Sequence, residues 1–125
     1  MAPITVTLAG REPLTAVVSL VGEHDAYTAG QLQNELNTLL EDGRRIVVDL
    51  HDTSFIDSTT LSALLGAKAE AEECELGFAL VLREDDYTQV HQILDLTGLG
   101  SSFAIFGRLE DALRSVRDPR NVHAR

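Results

Sequence analysis

Cysteine is nearly absent. Cys74 is the single thiol among 125 residues, which excludes an internal disulfide and every multi-cysteine metal site. Lysine is equally scarce: nine of the ten cations are arginine, and Lys68 stands alone. There is no Gly-x-x-x-x-Gly-Lys-Ser/Thr phosphate loop, and the position of Lys68 within a helical segment does not suit a response regulator. Positive charge is short overall, with 10 Lys+Arg against 20 Asp+Glu and a net charge of −10. A basic face able to neutralise nucleic-acid phosphates is therefore excluded, and anionic membrane surfaces are disfavoured. No apolar run approaches the ~20 residues of a membrane span. The start Met1-Ala2-Pro3-Ile4-Thr5 lacks the basic and apolar pair of a secretory leader, so a cytoplasmic protein without membrane insertion is expected.

What is present is an ordinary globular composition, 44% apolar and 24% charged, long enough for one domain with a core of its own. Ile4-Thr5-Val6-Thr7-Leu8 alternates as a half-buried strand does. Residues 10–13 mark a turn, and residues 15–21 a second strand that Gly22-Glu23-His24-Asp25 breaks. From Tyr27 the period changes: Leu32, Leu36, Leu39 and Leu40 form one helical stripe, which Gly43 is placed to stop. Arg45-Ile46-Val47-Val48-Asp49-Leu50 reads as a strand covered on both faces. After a loop over residues 51–57 comes a helix with Leu61, Leu64, Leu65 and Lys68 on one side. Residues 76–82 follow as a buried strand, and Val90, Ile93 and Leu94 mark a third helix closed by Gly98. Residues 103–106 are a short last strand, and Leu109, Ala112, Leu113 and Val116 a fourth helix. The order ββαβαβαβα predicts an α/β fold with a mixed, largely parallel sheet of four to five strands and about four helices. The domain is expected over residues 3–117, with residues 118–125 as a flexible tail.

Enzymatic patterns are weak. The four histidines show no ligand spacing. His51 reads as loop punctuation, His91 as a solvated residue on the polar side of its helix, and His24 as an exposed loop tip. Ser58, His24 and Asp25 can be drawn as a triad, but there is no Gly-x-Ser-x-Gly elbow. One segment stands out, Thr53-Ser54-Phe55-Ile56-Asp57-Ser58-Thr59-Thr60-Leu61, running from the central strand into the second helix. Asp, Ser and Thr are the preferred helix N-caps. A hydroxyl at a helix N-terminus is also a favourable place for a phosphate, because free amides and the helix dipole meet there. The residues allow both readings.

The chain resembles the STAS domain family, in particular bacterial anti-sigma factor antagonists. Four landmarks carry the resemblance, from about residue 5 to residue 113: Gly22-Glu23-His24-Asp25 followed by Thr28-Ala29; Ile46-Val47-Val48-Asp49-Leu50 leading into Phe55-Ile56-Asp57-Ser58-Thr59; Leu94 to Gly98-Leu99; and Phe103, Ile105, Phe106 with Ala112-Leu113. The resemblance implies a non-enzymatic binding protein without a cofactor, whose phosphorylated residue would be Ser58. It implies a partner surface of Gly22, Glu23, Asp25, Thr28, Asp57, Ser58, Thr59 and Thr60. The implied partners are an anti-sigma factor that is also a serine kinase of the histidine-kinase-like ATPase type, and a serine phosphatase. Two positions depart from the family pattern: Thr60 replaces a usual glycine, adding with Thr59 a rival phosphate acceptor, and His24 fills a usually apolar slot. Other readings of the resemblance are an accessory subunit of a transporter or stress-signalling complex, and a nucleotide-sensing module using residues 22–25 and 55–60.

Overall fold

The computed structural model describes residues 4–9 and 12–118, apart from the side chains of residues 12 and 13. Strands β1 (Ile4–Ala9) and β2 (Glu12–Leu20) are joined across the expected turn, part of which lies outside the described residues. They are followed by β3 (Gly22–His24), α1 (Ala26–Glu41), β4 (Arg45–Asp49), β5 (Thr53–Ile56) and α2 (Ser58–Glu73). Then come β6 (Phe78–Val81), α3 (Gln89–Thr97), a 3-10 turn (Leu99–Ser102), β7 (Ala104–Phe106) and α4 (Leu109–Arg117). Of the expected tail, Asp118 is described and residues 119–125 lie outside the described residues.

The main sheet has five strands in the order β1-β2-β4-β6-β7. β1 pairs with β2 antiparallel, and the remaining pairs are parallel. The expected mixed, largely parallel sheet with four helices is therefore the fold. Two short strands depart from that expectation. β3 and β5 pair in parallel as a separate small sheet, where the sequence reads as a strand break and a loop. Three- and four-residue strands bounded by Gly, Asp and Ser are too short for a period to show.

The alternation of the central strands divides the core in two. Ile46, Val48, Leu80 and Val18 point into a layer shared with Leu32 and Leu36 of α1, Leu61 and Leu64 of α2, and Val90 and Leu94 of α3. Val17, Val47, Ala79 and Val81 point the other way, onto Ala112 and Val116 of α4. Each fully buried Leu, Ile or Val contributes roughly 1.5–3 kcal/mol of transfer free energy, so β4 and β6, buried on both faces, anchor the fold. α3 ends at Gly98, which takes the left-handed conformation (φ 71°) that side chains resist. α4 carries Glu110 and Asp111 in its first turn and Arg114 and Arg117 in its last, matching the helix dipole at both ends.

One close approach fixes α4. A Cβ on Gly77, the residue before β6, would sit 2.7 Å from the Val116 Cα and 2.9 Å from its carbonyl carbon, and closer still to the carbonyl oxygen.

Candidate functional site

The site grows from two helix starts that the small sheet brings together. Gly22 bends the chain out of β2 at φ 84°, a left-handed conformation suited to glycine. Its N–H donates to the Asp52 carbonyl (3.0 Å), and the Thr53 hydroxyl donates to the Leu20 carbonyl (2.7 Å). These bonds hold β3 beside β5, so the segments after them, at Asp25 and Asp57, begin α1 and α2 as neighbours. The Asp57 N–H donates to the His24 carbonyl at 3.2 Å, tying the two loops directly.

Asp57 is the N-cap of α2. Its Oδ1 accepts from the Thr60 N–H at 2.9 Å, the Thr59 hydroxyl at 2.6 Å and the Thr60 hydroxyl at 3.1 Å. Partial burial, the largest single influence, pushes the Asp57 carboxyl up. The hydrogen bonds from Thr59 and Thr60 together outweigh it and hold the group below the usual carboxylate range. Ser58 is the first residue of the helix and is exposed. The carboxylate is thus occupied by the two threonines while the serine hydroxyl faces outward.

Asp25 caps α1 in the same manner. Its Oδ1 accepts from the Tyr27 N–H (3.0 Å), and the Asp25 N–H donates to the Thr28 hydroxyl (3.2 Å), closing a capping box.

Three expectations change. His24 is not an exposed loop tip: it is fully buried, because β3 turns its side chain inward. Its Nε2 faces the Val21 carbonyl (3.2 Å) and its Nδ1 the Thr28 hydroxyl (3.1 Å), which suits a neutral ring carrying its proton on Nε2. Thr28 and Thr60, expected on the partner surface, are also buried. Thr28 completes the α1 cap, and Thr60 shares its hydroxyl between Asp57 and the His24 carbonyl (3.3 Å), so both side chains are engaged inside the fold. His91, expected to be solvated, is half-buried. It accepts from the Thr88 N–H (3.1 Å), donates to the Arg83 carbonyl (2.9 Å) and stacks on Tyr87.

Asp25, Asp57, Ser58 and Thr59 lie where β3 and β5 run into their helices, Asp57 partly buried and the others exposed; the exposed Glu23 lies within β3 and the half-buried Gly22 at its opposite end, beside Thr53. Sequence reasoning missed three residues there. Tyr27 and Phe55, 67% and 39% exposed, are aromatic side chains left facing solvent near the starts of α1 and α2; their place after a helix cap and in a four-residue strand was the available signal. Gln89 opens α3 and clamps the backbone of Ile56: its amide oxygen accepts from the Ile56 N–H and its amide nitrogen donates to the Ile56 carbonyl, both at 2.8 Å. It takes the place of a neighbouring strand on the free edge of β5, one residue before Asp57. Two clefts of about 610 and 400 Å³ open on the surface, near the end of β6 and beside β5. Neither is lined by Asp25 or Ser58. Among the described residues no group of three His, Cys, Asp or Glu side chains is placed to hold a metal, and no helix is long and apolar enough to cross a membrane.

His24 carries a pH prediction. Burial, the largest influence, holds its pKa below the ordinary 6.5, against the smaller upward effects of the Val21 carbonyl and the Asp25 charge. The unfolded chain therefore binds the proton more readily. Stability is full above about pH 6.5 and falls as the pH drops below it, with a slope of at most about 1.4 kcal/mol per unit. Urea unfolding of wild type and His24→Leu between pH 7.5 and 5 measures this. The variant's curve is expected to be flatter, and equal slopes would remove His24 as the cause.

Comparison with known proteins agrees with this fold. The family model described as "Mlab, STAS domain" matches residues 7–113. The chain is 33% identical over 118 residues to the anti-sigma-F factor antagonist RsfB of Mycobacterium tuberculosis, covering 94% of this chain and 93% of that protein. It is 30% identical over 97 residues to the anti-sigma-B factor antagonist of Bacillus subtilis, covering 78% and 86%. Among solved structures, an anti-sigma factor antagonist from Mycobacterium paratuberculosis superimposes with a TM-score of 0.77 at 29% identity, covering 94% of this chain and 96% of that one.

Proposed function

The chain belongs to the STAS domain family, and on that premise we propose that it is an anti-sigma factor antagonist switched by phosphorylation at Ser58. In its unphosphorylated form it binds an anti-sigma factor that is also a serine kinase of the histidine-kinase-like ATPase type, and so frees a sigma factor. The Ser58 Oγ attacks the γ-phosphorus of ATP held by the kinase and gives its proton to a base of the kinase, the bond to the β-phosphate oxygen breaks, ADP leaves, and the complex dissociates. A serine phosphatase hydrolyses the phosphoester and restores the binding form.

The observation that carries this reading is the division of labour at the start of α2. Asp57 is engaged by Thr59 and Thr60, and Ser58 beside it is exposed, so the acceptor hydroxyl can be reached without dismantling the cap. The relatives named as anti-sigma factor antagonists support the partner class. The exposed side chains of Tyr27 and Phe55 suit the role of apolar anchors, since aromatic residues supply much of the binding energy of protein interfaces. Glu23 and Asp25 would form an acidic rim around them, complementary to a cationic partner face.

The test is capture of partners from native extract by wild type, Ser58→Ala and Ser58→Glu in parallel. Wild type and Ser58→Ala are expected to retain one kinase-like ATPase that Ser58→Glu loses. Equal capture of a membrane or scaffold protein by all three would leave Ser58 merely the first residue of α2 and overturn the switch.

A further inference from the structure

We propose that the outer edge of β1 pairs with the same edge of a second copy of this chain, joining two five-stranded sheets into one across a two-fold axis. Among the described residues β1 is a terminal strand of the sheet, hydrogen-bonded to β2 on one side only. Natural sheet edges are usually guarded by charge, proline or a bulge. Ile4-Thr5-Val6-Thr7-Leu8-Ala9 has no charged residue and no proline, in a chain of which 24% is charged. The bulge between Leu8 and Ala9 sits at the strand's end and leaves residues 4–8 regular.

The edge is apolar in a way that suits its own copy. Val6 lies opposite Val18 and Leu8 opposite Ala16, so both continue the core layer that α1, α2 and α3 cover farther in. On β1 they run beyond that cover, 38% and 49% exposed. Residues opposite each other in an antiparallel pair point to the same face. A β1–β1 pair therefore keeps its apolar residues together only when the numbers of opposed residues sum to an even value. Centring the axis on Val6 meets this condition: Val6 opposes Val6, Ile4 opposes Leu8, and Thr5 opposes Thr7. The uncharged edge offers nothing to a cationic partner, whereas it matches itself residue by residue.

A six-residue edge, roughly 20 Å long, falls at the small end of specific interfaces, and each copy brings a net charge of −10. The dimer is accordingly weak and tightens as salt screens the repulsion. This inference is independent of the Ser58 cycle.

Sedimentation of the full chain across micromolar to millimolar concentrations tests it. The mass is expected to rise from 13.6 kDa towards twice that value, more steeply at high salt, and Val6→Lys is expected to remain monomeric. The register is tested on the other face. The double variant Thr5→Lys with Thr7→Lys should stay monomeric, whereas Thr5→Lys with Thr7→Glu sets each lysine opposite a glutamate and should dimerise. Circular dichroism establishes that each variant is folded, and the two double variants, which differ at one position, control for any effect of substitution on the strand. A wild type monomeric throughout overturns the proposal, as does a dimer indifferent to Val6→Lys and to both double variants.

Discussion

Phosphorylating Ser58 is expected to lower affinity for the captured anti-sigma factor by ~200–1,000-fold, which corresponds to ~3–4 kcal/mol, while leaving the fold almost as stable as before. The two halves of this prediction have separate origins. Ser58 is the first residue of α2 and points to solvent. A phosphate there adds about −1.5 to −2 charges where free amides and the helix dipole favour an anion by roughly 0.3–1 kcal/mol. The neighbouring Asp57 carboxylate, held ionised by Thr59 and Thr60, opposes that gain. The melting temperature should therefore move by no more than about 5 °C. Within an interface the balance is different, because a doubly charged group loses its water there while the partner's cations are matched to the rim of Glu23 and Asp25 and not to Ser58. Titration calorimetry on quantitatively phosphorylated protein, with a thermal melt of the same sample, separates the two effects. A fall in melting temperature well beyond ~5 °C would shift the explanation from surface charge to loss of structure at the start of α2.

Gly77→Ala is expected to be the most damaging single-methyl substitution, at about 3 kcal/mol or more. The new carbon would meet the Val116 backbone, its Cα at 2.7 Å, and backbone cannot swing away as a side-chain tip can. Either β6 or α4 must move. Moving β6 strains its pairing with β4, including the bond from the Ile46 N–H to the Gly77 carbonyl at 3.0 Å. Moving α4 lifts Ala112 and Val116 off Val47, Ala79 and Val81. Overpacking of a tight core typically costs 1–3 kcal/mol and more when no relaxation is open. Gly66→Ala is the control: it lies within α2 with nothing within 4 Å of the added carbon, and should stabilise by roughly 0.5–1 kcal/mol. Equal urea midpoints for the two variants would refute the argument.

The four helices and the five strands of the main sheet were legible because each repeats a pattern long enough to count. Leu32, Leu36 and Leu39 announce α1, and the run from Ile46 to Val48 announces a strand covered on both sides. The start of α2 was legible as chemistry, since Asp57, Ser58 and Thr59 are residue types that favour helix caps. His24 was not. A histidine between Glu23 and Asp25 looks polar, and only the pairing of β3 with β5 shows that alternation sends its side chain inward. Thr28 and Thr60 were misplaced for the same reason, because a threonine reads alike whether it faces a partner or closes a cap. Gln89 lies 33 residues from the strand it clamps, a relation that no local pattern carries.

The two faces of the sheet are finished at different times. The face built on Ile46, Val48 and Leu80 is complete once Phe103, the last residue of its layer, has been made. The face built on Val47, Ala79 and Val81 waits for Ala112 and Val116, on the last helix in the described chain. A chain cut after β7 would thus hold a sheet clothed on one side and bare on the other. The helix that closes the second face is thus the one whose loss would leave apolar strands open to other chains.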